Sequence, residues 1–187
     1  FSQGYVTHSY CSPSRAGILT GRYQQRFGHE LNPPYEPDNE MIGLPLDEVL
    51  ISNALKDAGY RTGAIGKWHL GYTEGHLPPQ RGFDFWYGFS GGARSFWTTG
   101  KETENQAQRQ LKRNDAPVPL SEVDYLTDNF TEEALDFINN SKENPFFLYL
   151  AYNAPHTPLH ASKKYLDRTR YIERAERSIY AAMITAV

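Results

Sequence analysis

The chain has 187 residues, and its 19 lysine and arginine residues against 22 aspartate and glutamate residues give a formal net charge of −3. This length fits one domain with a sizeable core, and the charge balance argues against the broad basic field that nucleic-acid binding needs. The single cysteine excludes an internal disulfide, and no apolar run is long enough for a membrane-spanning helix.

Predicted strands and helices alternate along the sequence, which is typical of an α/β domain with a largely parallel sheet flanked by helices. In chain order, the predicted elements are an extended segment over residues 5–10, a helix from Pro13 to Gly21, a helix over 47–58, a strand over 61–66, a helix from Ser121 to about residue 140, a buried central strand over 146–152 and a last helix from about Tyr171. Residues 100–119 are polar, and we expect an insertion or a mobile flap there.

The only cysteine lies in residues 11–15, which have the sequence CSPSR. Pro13 suits the first turn of a helix, because its missing N–H would have no partner there, and Gly21 suits the helix end. Cys11 is therefore expected at a helix N-terminus, where free N–H groups and the helix dipole favour an anion. Arg15, one turn later, adds a fixed positive group to the same face. The simpler alternative is a buried structural cysteine followed by an ordinary helix.

Two further segments place candidate residues just after predicted strands. Lys67 and His69 lie in the segment GKWHLG and share a face, because alternate residues of an extended chain point the same way. His156 lies in the segment NAPHTP, where two prolines stiffen the backbone. The carboxyl ends of parallel strands meet at one edge of a sheet, so these side chains are expected to converge with Cys11 on one crevice.

The CSPSR segment, with LTG four residues further on, resembles the signature of the type I, formylglycine-dependent sulfatases of the alkaline phosphatase-like superfamily. GKWHLG and NAPHTP resemble other active-site segments of that family, so the resemblance spans essentially the whole chain. It implies hydrolysis of a sulfate monoester, with Cys11 converted to formylglycine by a formylglycine-generating enzyme. One hydroxyl of the hydrated aldehyde would attack sulfur and displace the alcohol, and the covalent sulfate would then leave by elimination.

The resemblance also implies a role for each candidate residue. Lys67 and His69 would contact the formylglycine and the sulfate, and His156 would contact the sulfate near the leaving oxygen. His69 is the candidate base for the elimination, because histidine ordinarily titrates near the working pH. Lys67 and Arg15 would hold developing negative charge, and such donors can be worth roughly 10²–10³-fold each.

The family further implies one divalent cation, calcium or magnesium, bound through hard oxygen ligands and through Cys11 as formylglycine. Sulfatases supply the other ligands from an Asp-Asp pair before the cysteine motif and an Asp-Asn pair well after the third segment. This sequence has no Asp-Asp pair, and its Asp-Asn pairs, at 38–39 and 128–129, do not follow predicted strands.

The two ends of the sequence show a strand and a helical pattern without caps. We therefore expect residues 1–187 to be a partial catalytic domain that lacks the upstream metal-binding strand and a downstream part. The remaining metal ligands are expected outside this chain, which alone should have little or no activity.

The segment GFSGGAR is a candidate substrate loop, in which Ser90 and Arg94 would contact the substrate. The planar fork of Arg94 suits a carboxylate or a second sulfate. A glycine-rich turn with a solvated arginine explains the segment equally well. His8 and Arg22 are further candidates for the cleft, and His160 is expected at the surface or the substrate rim.

We expect a carbohydrate sulfate as the substrate, with an aryl sulfate as the other option, since 14% of the residues are aromatic. Two other functions stay open: a phosphate or phosphonate monoester hydrolase of the same superfamily, and a non-catalytic, sulfatase-like anion-binding protein. The resemblance also implies export to the periplasm, the exterior or the lysosome.

Overall fold

The computed structural model describes residues 2–97 and 107–187. The helices in these residues are α1 (Cys11–Thr20), α2 (Ile51–Asp57), α3 (Leu126–Asn139), α4 (Lys163–Thr169) and α5 (Ala175–Ala186). The strands are β1 (Arg61–Lys67), β2 (Phe85–Phe89), β3 (Lys112–Arg113), β4 (Ala116–Pro117) and β5 (Phe146–Ala151). Short 3₁₀ turns connect several of these elements.

The strands form one sheet in the order β4-β3-β2-β1-β5. β1 pairs in parallel with β2 on one side and with β5 on the other, so that Gly66 lies beside both Gly88 and Ala151. β3 and β4 extend the sheet beyond β2 as an antiparallel hairpin. The predicted α/β class and largely parallel sheet are confirmed, and the three parallel strands end at the same edge of the sheet.

Helices cover both faces of this sheet. On one face, Phe130 and Phe137 of α3 pack against Ile65 of β1. On the other face, Leu19 of α1 joins Trp86 of β2 in a second core cluster. Neighbouring residues of a strand point to opposite faces, so each of the parallel strands contributes to both clusters. This sandwich fixes α1 against the sheet, with its first residue near the carboxyl ends of the strands.

Gly66, near the end of β1, is required by the close approach of β5. It has a φ of +110°, and a Cβ at this position would overlap the carbonyl oxygen of Ala151. Only glycine adopts this backbone conformation without strain. Gly66 therefore allows β1 to run close beside β5 immediately before Lys67 leaves the sheet.

Two predicted helices begin later than the sequence pattern indicated, and in both cases an asparagine side chain holds the backbone ahead of the helix. The Leu50 N–H donates to Asn53 Oδ1 at 3.1 Å, which places the start of α2 at Ile51 rather than at residue 47. The predicted capping residue Ser121 lies in a 3₁₀ turn instead. α3 starts at Leu126, and the Asp124 N–H donates to Asn129 Oδ1 at 3.2 Å.

The strand predictions need two corrections. β5 is an edge strand of the described sheet rather than a buried central strand, and Phe146 and Leu150 are 38% and 37% exposed. The segment 5–10 forms no strand; Tyr5 and Val6 are 86% and 70% exposed, and no ladder partner orders their backbone. β2 and α4 were not predicted, and the last helix begins at Ala175 rather than near Tyr171.

The polar segment 100–119 falls partly outside the described residues. Its described part, from residue 107 onward, contains a 3₁₀ turn and the β3–β4 hairpin. Asn114 holds the hairpin to β2, because its Oδ1 accepts from the Trp86 N–H at 2.8 Å and its own N–H donates to the Trp86 carbonyl at 2.7 Å. The hairpin part of this segment is thus an extension of the sheet.

Candidate active site

Cys11 is the first residue of α1, and Gly21 ends the helix in a left-handed conformation with a φ of 66°, as predicted. The hydroxyl of Ser14 donates to the His8 carbonyl at 2.5 Å and so holds the incoming chain against the first turn. The first turn carries no acidic residue. Because Pro13 has no N–H and the Ser12 and Ser14 N–H groups are already hydrogen-bonded, the positive potential around the Cys11 side chain comes from the helix dipole.

Arg15 ties α1 to the ends of two strands. Its Nη1 donates to the Lys67 carbonyl at 2.5 Å and to the Tyr149 hydroxyl at 3.3 Å. Burial raises the pKa of Tyr149, although the charge of Arg15 opposes that rise. Tyr149 therefore stays a neutral hydroxyl at neutral pH and orients the guanidinium without cancelling its charge.

Lys67 is the last residue of β1 and is buried, with 3% of its surface exposed. Burial lowers the pKa of its ammonium group, and the positive charge of Arg15 lowers it further. A side-chain hydrogen bond with Cys11 acts in the opposite direction. The ammonium group is thus placed directly beside the side chain at position 11, where an anion would stabilise its charged form.

His69 follows two residues later in a strained backbone conformation, with a φ of 61°. Burial lowers its pKa to about 3, and the charges of Lys67 and Arg15 add to this effect. The imidazole is therefore neutral near pH 7 and can accept a proton. A Cβ built on Gly92 would lie 2.6 Å from its Cε1 atom, so the ring packs directly against the Gly92 backbone.

His156 lies in the loop after β5, between two cis X-Pro peptide bonds, Ala154–Pro155 and Thr157–Pro158. Its side chain is exposed, and its Nδ1 atom contacts the Thr157 carbonyl at 2.7 Å, which leaves Nε2 directed away from that contact. It is also close enough to His69 to lower the pKa of that residue.

These side chains meet at one cleft with a volume of about 630 Å³. Cys11, Arg15, Lys67 and His156 all line it, and so does the further candidate His8. His69 does not line the described cleft, but it lies close enough to Lys67 and Arg15 for their charges to lower its pKa. The structure thus brings together the residues of three segments that are far apart in the sequence, at the carboxyl edge of the sheet where ligands of α/β proteins bind.

Other candidates lie elsewhere. Ser90 lines a separate small pocket, and its carbonyl accepts from the His69 N–H at 3.1 Å. Arg94 is only 4% exposed, with its guanidinium 5.8 Å from the centre of the Phe89 ring, so the alternative of a solvated arginine is wrong.

Arg22 and His160 are held in structural contacts. Arg22 does not line the described cleft; it pairs with Glu48 at 2.5 Å. His160 packs edge-on against Phe96, and its carbonyl accepts from the Tyr125 hydroxyl at 3.0 Å. It is therefore half-buried against aromatic side chains, and its expected place at the surface or the substrate rim stays a prediction.

The sequence analysis missed four residues that support the site. Ser12, His29 and Asn32 form a hydrogen-bonded group behind Cys11, and Tyr149 supports Arg15. Tyr149 was detectable in principle, since it lies in a predicted strand that ends at the crevice. His29 and Asn32 lie in a loop, and no local pattern marks them.

The described residues do not fit a metal ion by themselves. In residues 2–97 and 107–187, no three His, Cys, Asp or Glu side chains are grouped to hold one. The groups around Cys11 are cationic or neutral rather than hard oxygen ligands. Asp128 contacts the Tyr165 hydroxyl and lies 3.6 Å from Lys164 Nζ, so this half of the second Asp-Asn pair serves packing.

Comparisons with known proteins assign the chain to a family. A family model described as "Sulfatase" matches residues 1–187. The chain is 34% identical to arylsulfatase J of Mus musculus, over 99% of this chain and 31% of that protein. It is 36% identical to N-acetylgalactosamine-6-sulfatase of Rattus norvegicus, over 91% of this chain and 36% of that protein.

A solved structure is also similar, namely the crystal structure of Ps i-CgsB in complex with k-i-k-neocarrahexaose. It has a TM-score of 0.88 and 38% identity, over 98% of this chain and 43% of that chain. The chain thus spans about a third of the length of the curated relatives that it matches. In the described part of the chain, no helix combines the length and hydropathy that crossing a bilayer requires.

Proposed function

The chain belongs to the sulfatase family, and on that premise we propose that it forms the nucleophile-bearing part of a hydrolase for sulfate monoesters. The reaction breaks the bond between sulfur and the ester oxygen, adds water, and releases an alcohol and inorganic sulfate. Since the chain spans about a third of its curated relatives, this activity is proposed for the whole protein.

The observation that carries the proposal is the convergence of Arg15 and Lys67 on Cys11 at a helix N-terminus. In the described residues, no carboxylate forms an ion pair with either cation. Two fixed cations and the positive end of the helix dipole favour a tetrahedral anion such as a sulfate group. They also favour the additional negative charge of the transition state.

We propose that Cys11 is converted to formylglycine by a formylglycine-generating enzyme, and the hydrated aldehyde would then supply the hydroxyl that attacks sulfur. The position suits such a nucleophile. Cys11 is partly exposed and lines the cleft, while Lys67 donates to its side chain from below.

His69 is proposed as the base that accepts a proton from the group at position 11. The expected reason for this role was wrong, because its pKa is lowered to about 3 rather than lying near 7. A neutral ring is nevertheless the form that can accept a proton, and a bound anion would offset the charges of Lys67 and Arg15 that depress its pKa. His156, which is exposed and lines the cleft, is proposed to assist the leaving oxygen.

We also propose that the whole protein uses calcium or magnesium, in keeping with the family. Because the described residues do not form a hard-oxygen site, we propose that its other ligands lie outside this chain and that residues 1–187 alone have little or no activity.

For the substrate, we propose a carbohydrate sulfate, with an aryl sulfate as the second choice. One similar curated protein is named for N-acetylgalactosamine 6-sulfate, one similar structure contains neocarrahexaose, and others are named arylsulfatases. Ser90 and Arg94 remain proposed substrate contacts, which would require the substrate to reach beyond the described cleft. We further propose that the protein is exported.

The test is to produce the whole protein together with a formylglycine-generating enzyme and to measure release of inorganic sulfate. The substrates are an aryl sulfate, N-acetylgalactosamine 6-sulfate and a sulfated galactan oligosaccharide, each with added calcium. Mass spectrometry of the peptide containing Cys11 measures its conversion to the aldehyde. We expect sulfate release that depends on this conversion and is lost in Cys11→Ala.

The same experiment separates the alternatives. Faster hydrolysis of the matching aryl phosphate or phosphonate would make the protein a phosphoesterase of the same superfamily. An unconverted Cys11, with sulfate binding but no turnover, would make it an anion-binding protein. Either result would overturn the proposed function.

A further inference from the structure

Ser12, the residue after Cys11, connects the two halves of the proposed site. Its side chain is fully buried, and its hydroxyl donates to the His69 carbonyl at 2.6 Å, across 57 positions of the sequence. The same hydroxyl lies 2.6 Å from His29 Nε2. The Ser12 N–H donates to Asn32 Oδ1 at 3.0 Å. One buried residue is thus held by three partners, one of which is the backbone of His69.

The number of protons in this group defines which atom donates. A carbonyl oxygen only accepts, so when the single hydroxyl proton of Ser12 is donated to the His69 carbonyl, His29 Nε2 donates to Ser12. Burial lowers the pKa of His29, so near neutral pH its ring carries one N–H. The contact of its other nitrogen with the Gly43 carbonyl is longer, at 3.1 Å. The tautomer that completes both short contacts of Ser12 has the ring proton on Nε2, and its unprotonated Nδ1 then faces the Gly43 carbonyl without a hydrogen bond.

His69 needs such support because its backbone is strained. Non-glycine residues with a positive φ persist where the surroundings over-determine them. The His69 N–H donates to the Ser90 carbonyl at 3.1 Å, and its carbonyl accepts from Ser12. The peptide units on both sides of the residue are therefore fixed, and with them the direction of the imidazole ring.

We propose that Ser12, with its hydroxyl oriented by His29, is a positioning residue that fixes His69 relative to Cys11. This inference rests on the proposed function, because it assigns a consequence for turnover to the distance between these two side chains. Ser12 and His29 touch neither the cleft nor a reacting atom. They act through the backbone of His69 and through the first turn of α1.

The test compares Ser12→Ala with a matched control, Ser52→Ala. Ser52 is also fully buried, and its hydroxyl donates to the Arg81 carbonyl, also at 2.6 Å, but away from the cleft. We expect both variants to lose similar stability. Only Ser12→Ala should lower kcat, by about tenfold to a hundredfold, since a displacement of about 1 Å can cost that much. The KM of Ser12→Ala should change by less than about twofold. The rates of all variants are normalised to their measured formylglycine content.

The role of His29 is tested by His29→Gln and His29→Ala. The glutamine amide can donate to Ser12 from a similar position, so His29→Gln should keep most of the wild-type kcat, whereas His29→Ala should behave like Ser12→Ala. Because the two residues act in one network, adding His29→Ala to Ser12→Ala should cost little more. Equal losses in His29→Gln and His29→Ala, or independent losses in the double variant, would overturn this role.

A second measurement does not depend on activity. Hydrogen exchange of the peptide that contains residues 68–71 should be faster in Ser12→Ala than in the wild type and in Ser52→Ala. If the wild type hydrolyses no sulfate ester, the proposed function fails, while this measurement still tests the positioning of His69. Unchanged exchange in Ser12→Ala would overturn the inference, and so would an unchanged kcat in an enzyme that hydrolyses a sulfate ester.

Discussion

The contact between Gly92 and the His69 ring predicts a strong effect of a single methyl group. In Gly92→Ala, the new Cβ would lie 2.6 Å from Cε1 and 2.8 Å from Nε2 of His69. Nonbonded carbon atoms prefer about 3.5 Å or more, so the rigid ring must move by about 1 Å. A displacement of that size at a reacting group can cost about 100-fold in rate. Gly92 does not have a positive φ, so alanine fits its backbone and the effect is on the ring.

The assay is kcat for an aryl sulfate, normalised to formylglycine content, together with the melting temperature. Gly75→Ala is the matched control, because its nearest neighbour, Leu46 Cδ1, would lie at an ordinary contact distance of 3.5 Å. We expect kcat to fall by about 30-fold to 100-fold in Gly92→Ala and to stay near wild type in Gly75→Ala. If both variants turn over within about twofold of each other, the ring position does not govern the rate and the reasoning is refuted.

Three further predictions concern charge, backbone and pH. Arg15→Gln removes the fork that donates to the Lys67 carbonyl, so kcat/KM should fall by about 10²–10³-fold; steady-state kinetics showing less than a tenfold loss would contradict this. Gly66→Ala places a Cβ against the Ala151 carbonyl oxygen and should cost about 3 kcal/mol or more; urea denaturation showing less than about 1 kcal/mol would argue against it. The pKa of His69 is about 3 in the folded chain against 6.5 ordinarily, so the unfolded state binds more protons between these values and stability falls as the pH drops below about 6.5. At about pH 5, the free energy of unfolding should be about 2 kcal/mol lower than at neutral pH. In urea denaturation at the two pH values, His69→Gln should lose correspondingly less stability than the wild type. Equal losses in both proteins would rule out His69 as the source.

Sequence patterns predicted the elements whose signals are local. The helix of Cys11 is bounded by Pro13 near its start and Gly21 at its end, and both act through their own backbone preferences. The starts of α2 and α3 depend on the side chains of Asn53 and Asn129, which compete with a longer helix. β2 was missed because its aromatic run, FWYGF, follows a turn-rich segment and has no alternation of polar and apolar residues.

In the site, the sequence predicted which segments meet but not how each side chain is held. Cys11 follows from its motif and its helix start, and Lys67 and His156 follow from their motifs and from their places near strand ends. The low pKa of His69 depends on burial and on two cations from different segments, and no short sequence motif predicts their combined effect. Ser12 belongs to the motif, yet its partner His29 comes from a loop whose position only the folded chain defines.

The two cations at the cleft have a consequence for how reaction products leave. Arg15 and Lys67 are held beside Cys11 without a carboxylate partner among the described residues. Such a positive site favours small tetrahedral oxyanions, including the inorganic sulfate that the proposed reaction would release. In the proposed reaction, the residues that accelerate bond cleavage would therefore also slow the departure of the product, and turnover at high product concentration would be limited by the exchange of one anion for another.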